Sequence, residues 1–340
     1  MKKIILSILL FFIFFEITSI LFTKLNLFLV NETPKYSFEE KFKHDWIEKD
    51  ENGIVWHKKN YTTRHVSRCF DVEYKTNNIG ARDDDDYFKN DPRSAIMLIG
   101  DSFAEGPGVE LEKIFAKVVE SKINKKVLNF GNAGTEPISQ YKKYKSDNID
   151  YNFDELIYFF LPQNDWKSEK KEDHSIIKNS EDKNNYKFQF SNFKYHIADL
   201  LARFTYSYNF IKSLYLVLDI KLNYGYENIS YFIKDKELVD TTLNYIEKII
   251  NSKDKVKSYI VIIPTIYDIE IYKETNYKDL YWYKKIQLLS KKNNSTLIDL
   301  LDYIDYKKKH LYFHSCDGHW SEYGNIFASN IFLKIRKKNN

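Results

Sequence analysis

"SAIMLIGDSFAEG", residues 94–106, decides how this chain is read. Residues 95–99 are apolar without alternation, so both faces of the segment are expected to be buried, as in a strand inside a parallel sheet. Gly100, Asp101 and Ser102 end the run abruptly. Functional groups of a parallel sheet gather at the carboxyl ends of its strands. Gly-Asp-Ser is therefore either a simple turn or the seat of a nucleophile.

Outward from this stretch the same pattern recurs. "KVLNFG" (126–131), "DELIYFFLP" (154–162), "KSYIVIIP" (257–264) and "STLIDL" (295–300) are short apolar runs, read as strands. Helical periodicity fills 111–123, 237–251 and 280–292 between them. Alternating strand and helix predicts an α/β fold around a central parallel sheet of about five strands. Residues 166–235 interrupt the alternation with a charged stretch and then aromatic helical sequence, and are read as a helical insertion. The expected organisation is an N-terminal anchor (1–24), a segment with short strands such as "RCFDVEYKT" (25–90), and an α/β domain (91–340).

An apolar fraction of 43% with 17% aromatics excludes a disordered chain. Lys+Arg 52 against Asp+Glu 48 leaves a net charge of only +4, with the signs interleaved. That is a solvated surface, not a nucleic-acid footprint. "IILSILLFFIFFEITSILF" (4–22) carries one charge, Glu16. At about 1.5 Å per residue it just spans a hydrocarbon core of roughly 30 Å. No Ala precedes Ala81, no Gly precedes Gly53 and no Cys precedes Cys69, so a cleavage or lipidation site near the segment is not expected. Lys2 and Lys3 before the segment place the N-terminus inside and the remainder outside the membrane, periplasmic or at the cell surface.

A serine is a weak nucleophile without a base in reach and donors aimed at the oxyanion. Near the C-terminus, "HSCDGHWSEYG" offers His319 as base and Asp317 as the group that orients it. The Ser102 and Gly134 backbone N–H groups and the Asn164 side chain are the candidate oxyanion donors. Each residue alone has a plain alternative: a turn at Ser102, a loop glycine at 134, a turn cap at Asn164, a packed structural histidine at 319. His310 and His314 are read as neighbours of the site or surface residues, because one base suffices.

In order along the chain, "GDSF", "NFGNAG", "QND" and "DGHW" resemble the four blocks of the SGNH (GDSL-type) hydrolases, in a membrane-anchored member. The resemblance covers 94–165 and 255–335 but not the insertion. "YKTNNIGARD" (74–83) is similar to a stretch upstream of the core in membrane-anchored members. It implies a flavodoxin-like three-layer α/β/α fold, a Ser102–His319–Asp317 triad, and an oxyanion hole from Ser102, Gly134 and Asn164. Gln163 stands where the family often has Gly, and Gly318 alone separates Asp317 from His319. The latter spacing is familiar from SGNH-like proteins that acetylate alginate and related polymers.

The expected function is a serine esterase acting on an O-acyl ester, with surface polysaccharide as one substrate class. An O-acyltransferase working through the same acyl-enzyme, with a membrane partner supplying the acyl donor, is a second reading. A catalytically inactive glycan-binding or assembly protein is a third. No sequence motif asks for a cofactor. "DDDD" (83–86) reads as an exposed loop; a metal site there is the alternative, weakened because consecutive carboxylates point apart. Cys69 and Cys316 are the only cysteines, and an extracytoplasmic location permits one disulfide between them. Two separate small hydrophobes are the alternative.

Overall fold

In this computed structural model the described residues are 2–25, 27, 30, 34, 36, 45–49, 53–67, 69–148, 150–166, 197–198, 200–222, 233, 235–271, 276–314 and 317–339. The chain divides into two compact units. One comprises 1–41, 170–225 and 315–317; the other comprises 42–169, 226–314 and 318–340.

The larger unit begins with two short antiparallel pairs. β1 (Ile47–Lys49) pairs with β2 (Val55–His57), and β3 (Thr62–Val66) with β4 (Asp71–Lys75). β4 alternates exposed and buried residues, with Val72 and Tyr74 inward, as a half-buried strand must. The stretch around "SAIMLIG" forms β5 (Ala95–Gly100), buried at every position. Four more parallel strands follow: β6 (Val127–Gly131), β7 (Phe153–Phe160), β8 (Lys257–Ile262) and β9 (Thr296–Asp299). Their spatial order is β6-β5-β7-β8-β9. Counted from β5 this is 2-1-3-4-5, the flavodoxin-like order. The sequence expectation of a parallel α/β sheet holds, with strand ends within a few residues of the apolar runs.

The helices sort by crossover direction. Right-handed connections put a helix on one face when the chain steps from β5 to β6, and on the other face when it steps from β6 across to β7 and beyond. Accordingly α3 (Phe115–Ile123) packs with the C-terminal helix, whereas α4 (Pro137–Lys143), α6 (Lys236–Ile250) and α8 (Tyr281–Lys292) pack in series. The C-terminal helix is α10 (Glu322–Asn339). α4 and α10 were not among the helices read from periodicity; α4 is short, and α10 lies beyond the last strand.

Close packing at the sheet's carboxyl edge explains two glycines. A Cβ on Gly131 would come within 2.2 Å of Glu105 N and 2.5 Å of Ala104 C, both backbone atoms that cannot yield. On Gly100 it would meet Phe159 Cβ at 2.7 Å. Gly131→Ala is expected to cost about 3 kcal/mol, the upper end of overpacking penalties. An unchanged urea midpoint for that variant would contradict this packing.

The acidic run is exposed as expected at Asp84, Asp85 and Asp86, but not at Asp83. Asp83 is buried, not exposed, and accepts from the Tyr87 hydroxyl at 2.6 Å. Asp83, Asp84 and Asp85 also do not point apart. They gather around the Lys117 ammonium, at 2.6, 2.8 and 3.3 Å. A turn at Asp83, whose Oδ1 accepts the Asp84 and Asp85 amides, brings the three together.

In the smaller unit, α1 (Lys2–Lys24) covers the apolar N-terminal segment. It is long and apolar enough to cross a membrane, and a membrane anchor or a signal sequence would both look like this. A second helix here, α5 (Tyr206–Leu222), belongs to the insertion.

Candidate active site

β5 ends at Gly100, and Asp101 caps the four-residue helix α2 (Ser102–Glu105) by accepting the Phe103 amide at 2.9 Å. Ser102 therefore stands at the first position of that helix, where helix geometry leaves the N–H without an intrahelical acceptor. Its Oγ is buried in the carboxyl edge of the sheet, beside the switch point between β5 and β7.

His319 arrives from the far end of the chain. Its Nε2 lies 2.8 Å from Ser102 Oγ across 217 residues of sequence. A small β-bridge between Phe313 and Trp320 closes the loop that carries it, and the His314 N–H donates to His319 O at 2.9 Å. Trp320 packs edge-on against Phe103 and Phe159, and the His319 ring lies 5.5 Å from the Phe103 ring. The residue after Ser102 thus helps seat the ring that faces Ser102. His314 rests against Phe70, with ring centroids 4.9 Å apart.

Asn164 and Asp165 follow β7. Asp165 Oδ2 accepts the Leu161 amide at 2.8 Å and folds the loop back, leaving Asn164 half-buried. Burial pushes the Asp101 carboxyl up to about 6, opposed by the Phe103 amide, the His319 ring and the side-chain amide of Asn164. Asn164 and His319 thus each act on the Asp101 carboxyl, next to Ser102. Gly134, in the loop after β6, adopts a left-handed φ of 75°, which only glycine takes without strain. Asp317 is half-buried and groups with the smaller unit. Cys69 is disulfide-bonded. Its expected partner, Cys316, lies outside the described residues.

One set of residues was not singled out from the sequence. Glu105, the last residue of α2, is buried and accepts the Tyr74 hydroxyl at 2.6 Å and the Ala133 amide at 2.7 Å. His57 Nε2 faces it at 3.4 Å. The buried Arg82 guanidinium donates to Gly106 O, and to Val109 O at 2.5 Å. The two N-terminal hairpins and the turn after them thus grip both the end of α2 and the loop bearing Gly134. Tyr74 and Arg82 stand in "YKTNNIGARD", the only sequence signal that pointed toward them.

No family model matches the chain, and no curated protein matches it. Solved structures do. The lipase/acylhydrolase from Enterococcus faecalis is 15% identical, with 72% of this chain and 96% of that chain covered and a TM-score of 0.42. A member of the lipolytic protein G-D-S-L family from Veillonella parvula is 12% identical, covering 71% and 97% at a TM-score of 0.36. An acetyl xylan esterase, AlAXEase, is 14% identical, covering 71% and 98% at 0.40.

Proposed function

We propose that the protein is a serine esterase of the SGNH type, acting on O-acyl esters, with acylated surface carbohydrate as the substrate class. The observation that carries this reading is the 2.8 Å approach of His319 Nε2 to Ser102 Oγ at the carboxyl end of β5. A base must be within hydrogen-bond reach of the proton it removes, and this pair meets that condition.

In the proposed cycle, Ser102 Oγ attacks the ester carbonyl carbon while His319 Nε2 takes the hydroxyl proton. The tetrahedral oxyanion is held by the Ser102 and Gly134 N–H groups and the Asn164 amide. Collapse breaks the bond to the alkoxy group, which leaves as the alcohol with the proton from His319. Water, deprotonated by the same nitrogen, then attacks the acyl-enzyme and releases the carboxylic acid and free Ser102. For Nε2 to act as base, the proton of the neutral ring must sit on Nδ1, and Asp317 is proposed as its acceptor.

The apolar N-terminal helix and the Asp-Gly-His spacing favour a second reading, transfer of the acyl group to a sugar hydroxyl in place of water. Acetate release from p-nitrophenyl acetate, with and without an oligosaccharide acceptor, separates the readings. Hydrolysis unaffected by acceptor supports the esterase. Acetylated sugar formed at the expense of acetate supports the transferase. No turnover and no labelling by a serine-directed phosphonate leaves only a binding role. Asn164→Ala is expected to lower turnover by roughly 10²–10³-fold, the usual loss for one oxyanion donor. Turnover within a factor of a few of the parent would remove Asn164 from the hole.

A further inference from the structure

Glu16 is the one charge in the apolar stretch 4–22 of α1, and nothing in the hydrolytic site uses it. On the insertion scale a central carboxylate costs about 3 kcal/mol. In the structure it is not an isolated charge. Its Oε1 accepts the Tyr206 amide at 2.7 Å and its Oε2 accepts the Ser207 amide at 2.9 Å. These are the first two residues of α5, so Glu16 is a cap supplied from another helix. It satisfies N–H groups that α5 cannot satisfy itself and places negative charge at the positive end of its dipole. The Phe210 ring, one turn on, packs edge-on against both Phe15 and Phe22, so the two helices run side by side beyond the cap.

One face of α5 is not covered in the same way. Ile211, Tyr215 and Leu218 are 52%, 69% and 43% exposed. Their spacing of four and three residues puts them on one helical face. Just before α5, Ile197, Leu200 and Leu201 are also exposed. In the same unit α1 exposes its own Ile, Leu and Phe side chains. Glu16 lies six residues before Phe22, or about 9 Å along the helix axis. Amphipathic helices at a membrane surface sit with their apolar face about 5–10 Å deep.

We infer that α5 is a second membrane element, an interfacial helix whose Ile211–Tyr215–Leu218 face enters lipid hydrocarbon beside α1, with Glu16 as its cap. The inference rests on α1 being a retained membrane anchor. A bilayer is the favoured occupant because the exposed stripe belongs to the same unit as an apolar helix of spanning length and α5 lies beside that helix, the Phe210 ring packing on Phe15 and Phe22. Among the described helices only α1 is long and apolar enough to cross a membrane, so α5 is placed in one leaflet.

Tryptophan quenching in vesicles tests this on the full chain. Tyr215→Trp, Phe12→Trp and Tyr303→Trp are each reconstituted in phosphatidylcholine/phosphatidylglycerol vesicles, with or without bromine on one phosphatidylcholine acyl chain. The wild-type signal is subtracted. The added emission of Tyr215→Trp and Phe12→Trp is expected to be largely lost in brominated lipid, and that of Tyr303→Trp to be kept. Loss for Phe12→Trp but not Tyr215→Trp would overturn the inference while leaving the anchor intact. This covers the case in which a second protein surface, not lipid, shields the stripe. Loss for neither would remove the anchor and the inference together. Adding Glu16→Leu should abolish quenching at Tyr215→Trp but not at Phe12→Trp. Quenching retained at both would refute the role of Glu16.

Discussion

Ser102→Ala is expected to lower ester turnover by about 10⁶-fold, the loss seen when a serine nucleophile acting with a histidine is removed. His319→Ala should fall about as far, and the double variant hardly further, because the two groups act as one unit. The fold should survive. Ser102 makes its side-chain contact with His319, and losing one hydrogen bond of this kind costs about 1 kcal/mol. A phosphonate probe should therefore label wild type but not a folded Ser102→Ala. Labelling of that variant at any serine within the site would show that Ser102 is not the nucleophile. Additive losses in the double variant would show that Ser102 and His319 do not share one step.

Why was this pair legible in the sequence when its support was not? Ser102 and His319 follow from chain-local signals: an apolar run that ends in Gly-Asp-Ser, and an Asp-Gly-His-Trp block. A buried parallel strand announces itself because both faces are apolar, so β5 to β9 were found almost to the residue. Glu105 carries no such signal. One turn after a nucleophile, a glutamate reads as an ordinary helix-surface acid, and only the tertiary approach of β2 and β4 buries it. The strands of those hairpins are three to five residues long, too short for periodicity to speak. Asp83 is similar. Its neighbours are acids, so it reads as solvated, whereas the Tyr87 hydroxyl four residues on and the distant Lys117 ammonium both turn onto it. Glu16 misleads in the other direction. It looks like a flaw in a spanning helix until the α5 amides that it caps are seen.

Glu105 is where the second large effect is expected. Burial alone would raise its pKa; the facing His57 ring, then the Tyr74 hydroxyl and the Ala133 amide, outweigh it and hold the carboxyl at about 2. His57 Nδ1 lies 3.0 Å from Gly80 O, which can only accept, so that nitrogen carries a proton. The folded value lies below the ordinary 4.5 of an unfolded glutamate, so the carboxylate stabilises the fold above pH 4.5. That contribution, roughly 3 kcal/mol, is lost as pH falls through 4.5 toward 2. Glu105→Ala leaves the buried Tyr74 hydroxyl and Ala133 amide without their acceptor and should cost about 2–5 kcal/mol at neutral pH. Glu105→Gln is the more informative variant. It keeps a side-chain oxygen for either Tyr74 or Ala133, but not both, and cannot titrate. Its unfolding free energy should vary less steeply with acid than that of wild type between pH 4.5 and 2. Because Ala133 precedes Gly134, turnover should also fall about tenfold, the rate equivalent of one lost hydrogen bond, with KM little changed. Equal acid dependence in the variant and wild type would mean that Glu105 is not the buried carboxylate that His57, Tyr74 and Ala133 hold ionised. The hairpins would then support the nucleophile's helix by packing alone.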